Sequence, residues 1–174
     1  MEKITINGTD VYLTPIPKGS ESRRVREKAA IAKLLDSTLP GIQLMHLPSG
    51  APYVNSSDVR ISISHSQHFA ALAICHDNRP VGIDIEEQRT EQLQRVVTRF
   101  MSDNDLLLCP DLLMAWTAKE AVFKAAGVPN AVLADINLLP TPDGVSFSAE
   151  LSGFKFSITH HRLPTLILAI ARPQ

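Results

Sequence analysis

The sequence predicts an α+β fold made of two similar helix-plus-antiparallel-sheet halves related by a pseudo-two-fold axis, with a site in the cleft between them. Three observations predict it. Ser62-Ile63-Ser64-His65 matches Ser157-Ile158-Thr159-His160, and each is followed by an apolar strand carrying Leu-Ala-Ile, at Leu72–Ile74 and Leu168–Ile170. Arg26-Glu27 and Lys119-Glu120 open comparable helical stretches upstream of the two matches. Each half reads as a helix followed by short apolar strands, with similar turn punctuation. The halves divide at 1–79 and 80–174, in one compact unit of a size that 174 residues suits.

Ile4 to Leu13 reads as strand with a turn at Asn7-Gly8, and Pro15 and Pro17 end it. Ser20 or Ser22 caps a helix to about Leu35. That helix opens on Arg23, Arg24, Arg26 and Lys28, which oppose the macrodipole; a nearby anion and a solvated surface cluster are equal explanations. Leu44 to Leu47 is a strand, and residues 48–52 form a tight turn. Val59 to His65 and Phe69 to Cys75 are strands joined near Ser66-Gln67. Thr90 to Phe100 is one amphipathic helix. Ser102 caps a short helix, and Leu112 to Ala126 is a longer one ended by Gly127 and Pro129. Strands follow at Val145–Ala149, Phe154–Thr159 and Thr165–Ala171.

A net charge of −1 argues against nucleic acid as a partner. Cys75 and Cys109 have no framework or metal spacing and read as buried thiols of a reducing compartment. The first residues alternate polar and apolar with no signal-peptide pattern, and Leu166 to Ala171 is too short to span a bilayer. The expected location is the cytoplasm, with no membrane partner. His65, His68 and the adjacent His160-His161 lack zinc spacing. Gly-rich phosphate loops and a G-x-S-x-G nucleophile are absent from the sequence.

Two stretches carry chemistry. In Val81-Gly82-Ile83-Asp84-Ile85-Glu86 a period of two puts Asp84 and Glu86 on one face beside Gly82. An isolated D-x-E strand is ordinarily a solvated edge. In Trp116 to Lys124 the residues Trp116, Glu120 and Lys124 share a helix face at i, i+4 and i+8; a Glu–Lys pair at that spacing is ordinarily a surface ion pair. Together, Asp84, Glu86 and Glu120 offer hard oxygen ligands suited to Mg²⁺, with Mn²⁺ as an alternative. Lys124 supplies a point charge for phosphate, and His65 beside Ser64 supplies hydrogen bonds. Arg24 and Arg26 of the first helix could reach a more distant phosphate. The set points to a phosphate-bearing substrate and phosphoryl-type transfer.

The pair Val81–Glu86 and Trp116-x-x-Lys119-Glu120-Ala121-x-x-Lys124 resembles the signature of 4'-phosphopantetheinyl transferases, of the two-half surfactin-synthetase-activating type. Ser64-His65-Ser66 and Arg99-Phe100-Met101-Ser102 fit as well. The resemblance covers roughly Ser49 to Gly127, and is weak at the N-terminal helix and thin after Leu138. It implies transfer of the phosphopantetheine arm of coenzyme A to a serine of an acyl or peptidyl carrier protein, with release of adenosine 3',5'-bisphosphate, by a protein acting as a monomer. It further implies Mg²⁺ on Asp84, Glu86 and Glu120, catalysis by Glu120, Lys124 and Asp84, and coenzyme A contacts from Ser64, His65, Lys119, Lys124, Arg24 and Arg26. Ala51 in Gly50-Ala51-Pro52 stands where the family often carries lysine, and Ala32 where it often carries arginine. The alternative is a non-catalytic member of the fold that binds coenzyme A or carrier protein. A Mg²⁺-dependent hydrolase of nucleotide pyrophosphates is a third reading.

Overall fold

The computed structural model describes residues 1–56, 58–141 and 147–174. Two lobes, each a helix on an antiparallel sheet, enclose a central cleft. The first sheet has the order β1-β2-β6-β5, from β1 (Glu2–Ile6), β2 (Thr9–Pro15), β5 (Arg60–His65) and β6 (Phe69–Cys75). The second has the order β7-β11-β10-β9-β8, from β7 (Gly82–Glu87), β8 (Asn137–Pro140), β9 (Phe147–Leu151), β10 (Phe154–Arg162) and β11 (Leu166–Pro173). A separate hairpin joins β3 (Leu44–His46) to β4 (Pro52–Val54). The run β2-β6-β5 has the same all-antiparallel connectivity as β7-β11-β10. The repeat read in the sequence therefore falls on matching hairpins, β5–β6 and β10–β11.

The apolar runs that lack alternation are strands buried on both faces. Along β6, Ala70, Leu72 and Ile74 pack with Ile31, Leu34 and Leu35 of helix α1 (Arg23–Thr38). The intervening Ala71, Ala73 and Cys75 face the other sheet. Along β11, Ile167, Ala169 and Ala171 pack with helix α4 (Leu112–Ala126), while Leu166, Leu168 and Ile170 join the inter-sheet core. The molecule is thus layered α1, sheet, sheet, α4.

β7 lies at the edge of its sheet, with β11 on one side. Its other edge meets β5 of the first lobe through serine side chains. Ile83 donates its N–H to Ser62 Oγ at 3.0 Å, and Ile85 donates to Ser64 Oγ at 3.3 Å. A seam of side-chain bonds thus replaces a main-chain ladder between the lobes. Ile83 and Ile85 are buried in the inter-sheet core, which turns Gly82 and Asp84 toward α4. Gly82 is where the helix comes closest. A Cβ there would lie 1.9 Å from the Ala121 carbonyl oxygen and 2.6 Å from the Ala125 nitrogen.

Several segments differ from expectation. Ile4–Leu13 is a two-strand hairpin turning at Asn7-Gly8, both with positive φ (48° and 76°), as a tight hairpin turn requires. The helix expected over Thr90–Phe100 is two pieces: α2 (Thr90–Gln94) and a 3₁₀ turn at Val97–Arg99. Val96 leaves the helical region (φ −122°, ψ 9°), in a β-branched run that resists helix. Pro52, expected in a turn, opens β4 on an edge, where its missing N–H is harmless. Of the strand expected from Val145, the residues from Phe147 are strand; Val145 itself lies outside the described residues. The short helix after Ser102 forms as α3 (Asp103–Leu108), with a reciprocal Ser102–Asp105 capping box.

Candidate functional site

Asp84 is held at the centre of the cleft by α4 and β5 together. Lys124 Nζ lies 2.8 Å from Asp84 Oδ1 and donates also to the Ile83 carbonyl at 2.9 Å and Ser64 Oγ at 3.1 Å. Those three bonds use all three ammonium protons. Ser64 donates its one proton to Asp84 Oδ1 at 2.8 Å and accepts from Ile85 N–H and Lys124. The hydroxyl is therefore saturated, and Ser64 is a hub that fixes the acid, the lysine and the seam at once. Ser64→Ala leaves Ile85 N–H and part of Asp84 unpaired in a buried place; the expected loss is about 2 kcal/mol of stability, measured as a fall in the urea midpoint.

The cleft encloses about 430 Å³ and is lined by Ser64, His65, Asp84, Glu86, Trp116, Glu120 and Lys124. The helix face Trp116–Glu120–Lys124 and the strand face Asp84–Glu86 thus meet across one space. Glu86 is half-buried and ion-paired with Arg89, whose guanidinium lies 4.8 Å over the Trp116 ring. Burial, then the Asp84 charge, pushes the Glu86 carboxyl up to about 7 against the pull of Arg89. Burial and Asp84 also raise Glu120, with Lys124 and Arg89 pulling the other way. No hydrogen bond or ion pair reaches the Glu120 carboxylate from the described residues. Three acids thus face two cations, and the cleft is short of positive charge.

That deficit bears on a divalent cation. Asp84 Oδ2 is buried with no hydrogen-bond partner, an orphaned hard-oxygen donor in an all-oxygen set. The donor chemistry fits Mg²⁺ or Mn²⁺ at Asp84. As arranged, among the described residues no three His, Cys, Asp or Glu side chains group closely enough to hold a metal ion.

The other expected residues are placed as follows. His65 is exposed at the end of β5, its Nδ1 3.6 Å from Glu27 Oε1, and lines both the central cleft and a neighbouring groove of about 850 Å³. Arg24 and Lys28 line that same groove along α1. Arg26 is not brought to it: its guanidinium donates to the Pro17 carbonyl at 3.1 Å and the Glu21 carbonyl at 3.3 Å, tying down the segment before α1. Arg23 likewise has protein partners, Glu27 at 2.6 Å and the Ser66 carbonyl at 3.1 Å.

Lys119 is not in the cleft either. It is fully buried on another side of α4, where its ammonium sits 2.7 Å from Asp105 Oδ2 and 2.5 Å from the Phe100 carbonyl oxygen. The sequence carries the signal for this, since neighbouring helix positions differ by about 100° and Lys119 cannot share the face of Glu120. Arg89 is legible in the sequence only as one of three arginines near the cleft, with Arg95 and Arg99, that could dock an acidic carrier; its pairing with Glu86 and Trp116 at the cleft wall is not. Its i+3 spacing from Glu86 is a weak signal, because the two do not share a regular element.

The sequence model of the 4'-phosphopantetheinyl transferase superfamily matches residues 80–171. The match runs on through β11 and stops short of Ser64 and His65, unlike the extent read from motifs alone. The 4'-phosphopantetheinyl transferase HetI of Nostoc sp. is 33% identical over 96 residues, covering 49% of this chain and 40% of that protein. The similarity thus spans two fifths of that relative's length. A crystal structure of Helicobacter pylori holo-[acyl-carrier-protein] synthase in complex with coenzyme A aligns with a TM-score of 0.44 and 20% identity, over 54% of this chain and 99% of that one. With more than half of its residues matched by the family, from the β6–β7 connector to the last strand, this chain belongs to the 4'-phosphopantetheinyl transferase superfamily.

Proposed function

We propose that this protein transfers the 4'-phosphopantetheine group of coenzyme A to a serine of an apo acyl or peptidyl carrier protein, releasing adenosine 3',5'-bisphosphate. The observation that carries the reading is the Lys124–Asp84–Ser64 cluster, with its orphaned Asp84 Oδ2, set between the lobes opposite the unpaired Glu120. The serine Oγ attacks the phosphorus that bears the pantetheine arm, the bond from that phosphorus to the bridging pyrophosphate oxygen breaks, and the adenosine bisphosphate leaves with the bond's electrons. Glu120 takes the serine proton. Its burial favours the neutral form and so strengthens it as a base. Lys124 acts as a fixed positive charge beside the pyrophosphate. A divalent cation held at Asp84 with Glu86 and Glu120 would neutralise pyrophosphate oxygens. Arg24, Lys28 and His65 line the groove that suits the adenosine phosphates. Both sides of the cleft come from one chain, so we propose action as a monomer. Arg89, Arg95 and Arg99 near the cleft are the candidates for docking an acidic carrier, and of these Arg95 and Arg99 are exposed.

The test is an increase in the mass of an apo carrier by one phosphopantetheine when protein, Mg²⁺ and coenzyme A are combined. A carrier left unmodified across acyl and peptidyl types, with coenzyme A bound but intact, would instead indicate a binding module. Coenzyme A consumed without carrier would indicate a hydrolase. Glu120→Gln is expected to slow transfer by roughly 10²- to 10⁴-fold with an unchanged melting temperature; near-normal turnover removes Glu120 as the base.

A further inference from the structure

Arg89 holds three contradictory positions at once. Its guanidinium pairs with Glu86 and lies 4.8 Å over the Trp116 ring, yet its Nε is buried without an acceptor. A buried N–H left unpaired costs about 1–3 kcal/mol, so this is a pose the side chain can leave. Arg89 is the N-cap of α2 (φ −148°, ψ 36°): its carbonyl accepts from Gln92 and Leu93 N–H at 3.1 and 3.2 Å, while its side chain makes no capping bond and is not needed to start the helix. Across the same cleft Asp84 Oδ2 is buried and unpartnered, and the acids do not group at metal-holding distance. One oxygen of Asp84 is without a partner, its other being held by Lys124 and Ser64, while the neighbouring Glu86 is taken by Arg89.

We propose that Arg89 is a displaceable counter-ion: it occupies Glu86 in the cation-free protein, and a divalent cation arriving at Asp84 takes Glu86 from it and frees the guanidinium from Trp116. The inference rests on the reading of this cleft as a cation-dependent transfer site. Arg89 is a positioning residue, acting through Glu86. The exchange keeps the acids compensated before loading, which matters because like carboxylates this close repel. It also sets the cation affinity, since the incoming ion must compete with a tethered charge.

Trp116 is the single tryptophan of the chain and reports directly on the guanidinium over its ring. The free protein is titrated with MgCl₂, without coenzyme A, by calorimetry and by tryptophan emission, alongside Arg89→Met and Arg89→Lys. In the unaltered protein the emission change should saturate at the same half-point as the heat. Arg89→Met should bind Mg²⁺ about tenfold more tightly, with emission that no longer responds, because the competing charge is gone. Arg89→Lys keeps that charge and should stay near the original affinity. A purely structural arginine would lower the melting temperature of both variants and leave Mg²⁺ affinity unchanged or weaker. Such a result overturns the proposal, as does absence of heat from all three proteins or flat emission while heat evolves. Carrier modification with flat emission removes only the role of Arg89; an emission exchange without carrier modification leaves that role and removes the transferase reading.

Discussion

Gly82→Ala should cost about 3 kcal/mol of stability and lower transfer about 100-fold. The added Cβ would fall 1.9 Å from the Ala121 carbonyl oxygen and 2.9 Å from its carbon. Both belong to helix backbone, so no side chain can rotate away, and α4 must withdraw as a body. The helix carries Trp116, Glu120 and Lys124, while β7 carries Asp84, so withdrawal stretches the 2.8 Å contact from Lys124 to Asp84. Its other effect is on packing, because Ala118, Ala121, Val122 and Ala125 all lie in the core under the helix. Urea denaturation and the carrier mass assay on one preparation check both halves. A variant as stable and active as the parent would mean that the helix has slack the close approach does not suggest.

Lys119→Met should cost about 3–5 kcal/mol, among the largest losses expected from a single exchange in this chain. The substitution keeps most of the side chain's apolar length but leaves Asp105 in a buried site without its counter-charge. Asp105 is committed elsewhere as well: it closes the Ser102 capping box and accepts from Leu138 N–H at 2.8 Å, joining α3 to β8. Burial pushes the Asp105 carboxyl up, but the Lys119 ammonium and the Ser102 and Leu138 N–H groups outweigh it and hold it below its ordinary 3.8. A folded-state value below the unfolded one gives stability that is complete above about pH 4 and is lost as the pH falls through the folded value. The acid limb of the unfolding curve should therefore flatten in Lys119→Met. If Lys119 instead served coenzyme A phosphates, as the family resemblance implies, the variant would keep its urea midpoint and lose ligand affinity.

These two residues also show what could be read from the chain alone. Gly82 was legible as an open position on the strand face, and the opening is filled by helix backbone rather than ligand. Lys119 was legible as conflicting with its neighbour's helix face. Strand and helix limits were clearest where the pattern was local: α4 runs over the residues expected, and β6 likewise. Legibility fell where a residue's role depends on partners far along the chain. Ser64 reads as one hydroxyl near a histidine, yet its bonds span 20 residues to Asp84 and 60 to Lys124. Arg89 reads as a solvated charge or a carrier-docking arginine near the cleft, because its partners, Glu86 and Trp116, come from two different elements. The Thr90–Phe100 helix was misread because apolar spacing persists through Val96, where the backbone has already turned.

The serine seam has a consequence for how the chain behaves among its own copies. β5 and β7 each end a sheet, and a bare sheet edge is a template that recruits other strands and promotes aggregation. Here the amide groups of Ile83 and Ile85 are capped by Ser62 and Ser64, so two edges silence each other without fusing into one continuous sheet. Loss of those hydroxyls would expose both edges at once. A concentrated sample should then show intermolecular association alongside the disturbance of Asp84 and Lys124 that loss of the Ser64 hydroxyl brings to the cleft.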